Sequence, residues 1–282
     1  MIMISPVLRL ARVSNLPTIW SNVLAASVLA GGMDSTGLAL VLLAMSALYT
    51  GGMVLNDAFD REIDARERPK RPIPAGEIAL ATVWSIGSGL LLVGVVILAT
   101  FGLTSAFGGL ALAAAILLYD AWHKGNPISP LIMGVCRALV YVGTSFAAAA
   151  VLGVSTVGSA LALLLYVTGL TRAAKGGAFQ SLPAAWPAVL LAAPVVFALS
   201  DGQADALSLA IAALFLVVVG QAIRRLRSGR THDREAAIGI LIAAIALADA
   251  VVAGSHGSPV LAVACVGFCF LTLALQRVIA GT

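Results

Sequence analysis

The sequence predicts an all-α, polytopic membrane protein of nine or ten transmembrane helices, and three observations carry that prediction. Of its 282 residues, 60% are hydrophobic and only 11% are charged. Apolar runs of about twenty residues recur from one end to the other, which is the length an α-helix needs to cross a hydrocarbon core. The alternating pattern of a transmembrane barrel is absent. With no water in the bilayer core to satisfy backbone N–H and C=O groups, such runs must therefore be helices.

Taken in order, the apolar segments span 15–33, 36–55, 80–101, 103–119, 130–151, 155–174, 183–200, 205–223, 236–254 and 258–279. Some are parted by only a few residues, as at FGLT (101–104) and GSHGSP (254–259), so the count is nine or ten. Residues 1–17, MIMISPVLRLARVSNLP, lack the charged start, apolar core and small-residue cleavage site of a signal peptide, so the first helix is expected to be retained. The whole of 1–282 reads as a single transmembrane domain, with a charged loop at 56–79. Cys136, Cys265 and Cys269 fall in apolar segments without metal-ligand spacing, which implies free thiols and neither disulfide nor zinc.

The charges order the topology. Arg9, Arg12, the basic residues of 56–76, Lys124, Arg172, Lys175, the run Arg224 to Arg234, and Arg277 fall on alternate connections, whereas Asp34, Asp201 and Asp205 sit on connections free of Lys and Arg. By the positive-inside bias the charged loops and the N-terminus face the cytoplasm, the inner membrane being the site in a bacterium. The net charge of +4 then reflects topology and contact with anionic membrane lipids, and gives no support to nucleic-acid binding. The run RRLRSGRTHDRE (224–235) reads as such a connection, without a catalytic role, and His232 and His256 read as solvated loop histidines.

The stretch NDAFDREIDARERPKRPIPAG (56–76) is different, because it packs ten charges into an otherwise apolar chain. Asn56, Asp60 and Asp64 are spaced i, i+4, i+8, which on a helix stacks three oxygen donors along one stripe. Like carboxylates repel, and a cation between them relieves the repulsion. Hard oxygen ligands without His or Cys favour Mg²⁺ as cofactor, and Mg²⁺ commonly completes its shell with substrate phosphates. Arg66, Arg68, Lys70 and Arg71 follow as candidate partners for phosphate oxygens. Pro72, Pro74 and Gly76 then break the helix and turn the chain, so the stretch can serve as a lid. The plainer alternative is an ordinary loop of mutually paired charges.

NDAFDREID followed by RPIPAG resembles the first aspartate-rich motif of the UbiA superfamily of intramembrane prenyltransferases, Asn-Asp-x-x-Asp-x-x-x-Asp with a downstream Arg-Pro-Ile/Leu-x-x-Gly. RVSNLPTIWSNVLA (12–25) is similar to that family's first helix. YDAWHK (119–124) resembles its Tyr-Pro-x-x-Lys-Arg pattern, with Asp120 in place of the proline and His123 and Lys124 in place of the two basic residues. YDAWHK, MGVCR and YVTGLT together resemble the EboC-like branch. The resemblance implies helices ringed around a central cavity and a transfer of the prenyl group from a prenyl diphosphate to an acceptor, usually aromatic. It further implies Mg²⁺ on Asn56, Asp60 and Asp64, diphosphate on Arg71 and Lys124, and Tyr119 beside the reacting carbon.

The family's second aspartate set should follow the sixth helix, where this chain reads TGLTRAAKGGAFQSLP (168–183) with no acidic residue between Asp120 and Asp201. Arg172 and Lys175 lie there instead, and two fixed cations could offset diphosphate charge in a one-metal enzyme. Two readings compete with transfer: a carrier of a phosphorylated lipid, and a terpene cyclase of the same superfamily. Arg137 and Asp249 lie roughly 13 and 21 Å into their helices. Unpaired charges at such depths cost at least about 2.5 kcal/mol each, so Arg137 is expected to reach the diphosphate from the cavity wall or to pair with Asp249. Acceptor, prenyl chain length and oligomeric state are open at this level.

Overall fold

A computed structural model describes residues 6–149, 151–175, 186–228 and 230–279, so part of the stretch expected in place of the second aspartate set, residues 176–183, lies outside the described residues. Among the described residues the protein is helical and contains no strand. A short α1 (Pro6–Leu10) and a 3₁₀ turn (Val13–Asn15) precede α2 (Pro17–Leu29), α3 (Ser35–Phe59) and α4 (Arg61–Glu67). There follow α5 (Leu80–Ala99), α6 (Leu103–Trp122), α7 (Ser129–Ala149), α8 (Val154–Ala174), α9 (Pro187–Asp201), α10 (Ala206–Arg227), α11 (Thr231–Ser255) and α12 (Pro259–Leu275).

Each of the ten apolar segments thus appears as one helix. Seven are long and apolar enough to cross a membrane, namely α3, α5, α6, α7, α8, α10 and α11, while α9 and α12 are shorter apolar helices. The boundaries shift where local chemistry decides them. Asp34 and Asp205, read as topology markers, are N-caps: their side chains accept hydrogen bonds from the Gly37 N–H at 2.6 Å and the Ser208 N–H at 2.8 Å. Pro17 occupies the first turn of α2, where its missing N–H costs nothing. The 56–79 stretch begins as the last turn of α3 and continues as α4, so its first half is helix and not loop.

Six helices wall a cavity of about 660 Å³, and the wall closes in the order α2, α3, α6, α7, α8, α11 and back to α2, each packed against the next. The remaining apolar helices lie outside this wall. Helix α5 packs on α3 and α6, α9 on α8 and α11, α10 on α11, and α12 on both α2 and α11. Helix α11 is the most enclosed, every residue from Ala243 to Ser255 being buried. Its apolar residues run all round the helix instead of forming a stripe, as a helix packed on all sides requires.

Small residues permit the close packing, since lipid supplies little hydrophobic drive between helices and association rests on van der Waals contact. A methyl group added at Gly87 would lie 2.5 Å from Leu55 Cγ across the α3–α5 contact, and one at Gly134 would lie 2.6 Å from the Leu164 carbonyl oxygen across α7–α8.

Candidate active site

The charged motif closes one end of the cavity. The α3–α4 break at Asp60 barely interrupts the helical path, because Asp60 N–H bonds the Asn56 carbonyl at 3.0 Å and Asp64 N–H bonds the Asp60 carbonyl at 2.9 Å. Asn56, Asp60 and Asp64 therefore stay on one stripe, and all three are buried, as is Asp57. Buried charges require partners, and most of these have them.

Arg71 donates through Nη1 to Asp57 Oδ1 at 3.0 Å and to Asp64 Oδ2 at 2.7 Å, clasping the two carboxylates from the turn beyond α4. Arg12 reaches the same cluster from the N-terminus, with Nη2 3.2 Å from Asp57 Oδ1 and 3.4 Å from Asn56 Oδ1. Its backbone lies in the left-handed region at φ 44°, unusual for a residue with a side chain and a mark of local strain at this site. Asp60 faces the end of α6, where His123 Nε2 and Lys124 Nζ each lie 3.4 Å from its Oδ2. Burial alone would raise the Asp60 carboxyl, but the hydrogen bond and charge of His123 and the Lys124 ammonium outweigh it and hold the group below its usual range.

Asp120 is the exception among these buried carboxylates. Asn56 Nδ2 donates to its Oδ1 at 3.0 Å, yet Oδ2 has no hydrogen-bond partner and no ion pair is made to Asp120. Beside it the Tyr119 ring stacks on His123 at 4.9 Å between centroids. Asn56, Asp60, Arg68, Arg71, Tyr119, Asp120, His123 and Lys124 all line the mouth of the cavity together with Arg12. Asp64 is placed behind Arg71, outside that lining.

Away from the mouth the lining turns apolar: Ile19, Met45, Leu112, Ile116, Met133, Val140 and, on α11, Ile238, Ile242 and Ile245. Met45 lies about 16 Å along α3 from Asn56 at the helical rise of 1.5 Å per residue, so the chamber is deep. Arg137 lines it part-way down, with its guanidinium 5.9 Å from the centre of the Tyr49 ring. It does not pair directly with Asp249, a correction to one of the two sequence expectations. Arg137 donates to Thr18 Oγ1 at 3.0 Å, the Thr18 carbonyl at 3.3 Å and Asn22 Oδ1 at 2.9 Å. Asn22 Nδ2 in turn donates to Asp249 Oδ2 at 2.7 Å, so one amide joins cation to anion. Ser21 and Tyr141 hydroxyls complete the Asp249 shell at 2.5 and 2.7 Å.

The residues expected to replace the second aspartate set sit elsewhere. Arg172 is exposed on the last turn of α8, whose cavity residues are Val167, Leu170, Thr171 and Ala174. Lys175 Nζ donates to the Asn126 carbonyl at 2.8 Å and Ser129 Oγ at 2.6 Å, bracing the α6–α7 turn. Arg234 and Glu235, from the run given no catalytic role, do line the mouth. His256 is not a free loop residue, since its Nε2 lies 3.1 Å from Asp201 Oδ2.

Residues 14–238 match the UbiA prenyltransferase family. The chain belongs to that family. Among relatives, the digeranylgeranylglyceryl phosphate synthase of Methanopyrus kandleri is 30% identical over 172 residues, covering 58% of this chain and 60% of that protein. The chain spans between 29% and 60% of the length of the relatives of that name that it matches. Among solved structures, an apo UbiA homologue from Aeropyrum pernix is 18% identical with a TM-score of 0.69, over 85% of this chain and 96% of that one. A UbiA homologue from Archaeoglobus fulgidus bound to DMAPP and Mg²⁺ is 13% identical with a TM-score of 0.53, over 98% of this chain and all of that one. Such likenesses confirm the fold of this UbiA-family protein, a multi-pass integral membrane protein.

One cysteine reports on the chamber. Cys136 lines the cavity, whereas Cys265 and Cys269 are 0% and 2% exposed. A small membrane-permeant maleimide is expected to label Cys136 first, and farnesyl diphosphate with Mg²⁺ to slow that labelling, read by mass spectrometry of the intact chain. Equal labelling of all three, or no protection, would count against a substrate chamber at this place.

Proposed function

We propose that this UbiA-family protein transfers a prenyl group from a prenyl diphosphate to a small acceptor within the membrane, in a divalent-cation-dependent reaction. The observation that carries this reading is the polarity of the cavity: a mouth of carboxylates and cations opens into a deep apolar chamber. A diphosphate matches the first and a prenyl tail the second. Support comes also from the Archaeoglobus fulgidus homologue, described as bound to DMAPP and Mg²⁺. A cytoplasmic mouth is the orientation that the positive-inside pattern supports, since Arg12, Arg68, Arg71, Lys124 and Arg234 all line it.

Among the described residues no three acidic, histidine or cysteine side chains converge as a ready-made cage. Mg²⁺ does not need one, being held by one or two carboxylates and completed by water and substrate phosphates. Asp60 at the mouth and the orphaned oxygen of Asp120 fit such a cation, with Asn56 beside them. When bound, Mg²⁺ neutralises charge that builds on the diphosphate as the C–O bond breaks.

The chain's own residues do the rest. Arg68, Arg71 and Lys124 at the mouth hold the diphosphate oxygens, with Arg12 behind them. Lys124 is half exposed and only loosely engaged at 3.4 Å, so it can turn to a phosphate without breaking a strong bond. Tyr119 and Tyr49 line the cavity, and an aromatic ring there favours the positive charge of an allylic carbon. Arg137 holds the inner end of the diphosphate or the acceptor from mid-wall. The aliphatic chamber keeps water from the ionised prenyl group. Because the matched relatives are named digeranylgeranylglyceryl phosphate synthases, a glyceryl phosphate ether lipid is the first acceptor to test.

The test offers geranyl, farnesyl and geranylgeranyl diphosphate to the purified protein with and without Mg²⁺. Diphosphate release should require Mg²⁺ and fall by about 10²-fold or more in Asp60→Asn, the loss typical of removing one electrostatic group from a reacting site. Binding without release under every acceptor mixture would instead mark a carrier.

A further inference from the structure

Four buried carboxylates surround the mouth, and their partners differ. Asp57 and Asp64 share Arg71, and Asp60 faces His123 and Lys124. Asp120 alone among these four makes no ion pair, and its Oδ2 has no hydrogen bond although the residue is only 4% exposed. A buried carboxylate left this way is expensive, because its desolvation is not repaid. Asn56 fixes the other oxygen, so the group is oriented as well as orphaned.

Resting on the transferase reading above, we infer that Asp120 is a ligand of the divalent cation, paired across the mouth with Asp60, and that Asp64 is not. Two carboxylates, one from the α3–α4 junction and one from α6, satisfy what Mg²⁺ takes from a protein before substrate phosphates complete the shell. Asp64 is unsuited to the same role because Arg71 already occupies its Oδ2 at 2.7 Å and because it lies outside the cavity lining. Asn56 then acts as a positioning residue, its amide setting the rotamer of Asp120. The chain carrying Asp120 is held in place from the far side: Lys175 ties α8 to Asn126 and Ser129, immediately after the α6 end. Lys175, found where a second acidic set was expected, thus braces the turn that follows the helix supplying the extra carboxylate.

The experiment is an electron paramagnetic resonance titration of Mn²⁺ onto the full-length detergent-purified protein, with and without inorganic diphosphate. Asp120→Asn keeps the shape of the side chain and one oxygen, so metal-free thermal unfolding serves as its folding control. Loss of a ligand should weaken Mn²⁺ binding by at least about tenfold, the lower end of what even outer-shell changes do. Asp60→Asn should do the same, while Asp64→Asn should keep Mn²⁺ affinity close to wild type and lower the unfolding midpoint. Wild-type Mn²⁺ affinity in Asp120→Asn, with loss in Asp60→Asn, would overturn the Asp120 assignment and leave the transferase reading standing. Absence of Mn²⁺ binding to the wild type in both conditions would overturn both.

Discussion

Arg71→Met is expected to cost about 3–5 kcal/mol of stability, the range for removing one partner from a buried ion pair. Its guanidinium is the direct counter-charge of Asp64, which is 2% exposed, and one of two for Asp57. Without it Asp64 is a buried anion with no other ion pair among the described residues, and Asp57 depends on Arg12 alone at 3.2 Å. Chemical unfolding in a mild detergent would read the loss. The same substitution removes a diphosphate contact, so stability and activity must be separated. The double variant Arg71→Met/Asp64→Leu should recover much of the stability, since replacing a whole buried pair with apolar groups is often neutral. It should not recover diphosphate release. An unchanged midpoint in Arg71→Met would show that the clasp contributes nothing to the fold.

Asp249→Leu is expected to be as damaging, at about 3–5 kcal/mol, because it strands donors as well as a charge. Ser21, Asn22 and Tyr141 all donate to this carboxylate in the centre of the enclosed α11. Asn22 orients by donating to Asp249 and accepting from Arg137, so removing the acceptor frees the amide to turn its N–H₂ toward the guanidinium. Asp249→Asn should cost less, about 1–3 kcal/mol, the penalty of an unsatisfied buried polar group. The decisive comparison is with Arg137→Met. If the two charges act through Asn22, the double variant Arg137→Met/Asp249→Leu should be milder than the sum of the singles by about 0.5–3 kcal/mol. Strict additivity would mean that the two residues are independent structural features.

The sequence revealed the helices because membrane spans are written in one-dimensional runs: among the described residues each of the ten apolar segments falls on a helix, and ends differ where polar residues prolong the helix past its apolar run, as at Asn56–Phe59 in α3 and Thr231–Glu235 in α11. Asn56, Asp60 and Asp64 were legible for a similar reason, being spaced within one helical path. Their individual partners were not. Arg12 meets Asp57 across 45 positions, and Asn22 meets Asp249 across 227, distances at which no periodicity links two residues. Asp120 was visible only as a departure from the Tyr-Pro-x-x-Lys-Arg pattern, and its bond to Asn56 depends on how α3 and α6 pack. Glu235 and Arg234 were hidden inside a basic connection, because a charged run does not say which of its members turn inward.

The wall of the chamber is not equally thick around its circumference. Helix α12 lies over the seam between α2 and α11, where Gln276 bonds Asn15, Trp20 meets Phe268 edge-on, and α11 is further shielded by α9 and α10. On the opposite arc, α7 packs mainly within the wall, on α2, α3, α6 and α8, and α6 exposes Phe107, Leu110, Leu117 and Leu118. The exposed apolar side chains of α6 are thus left to lipid, beside the charged residues at the end of the same helix that line the mouth of the cavity.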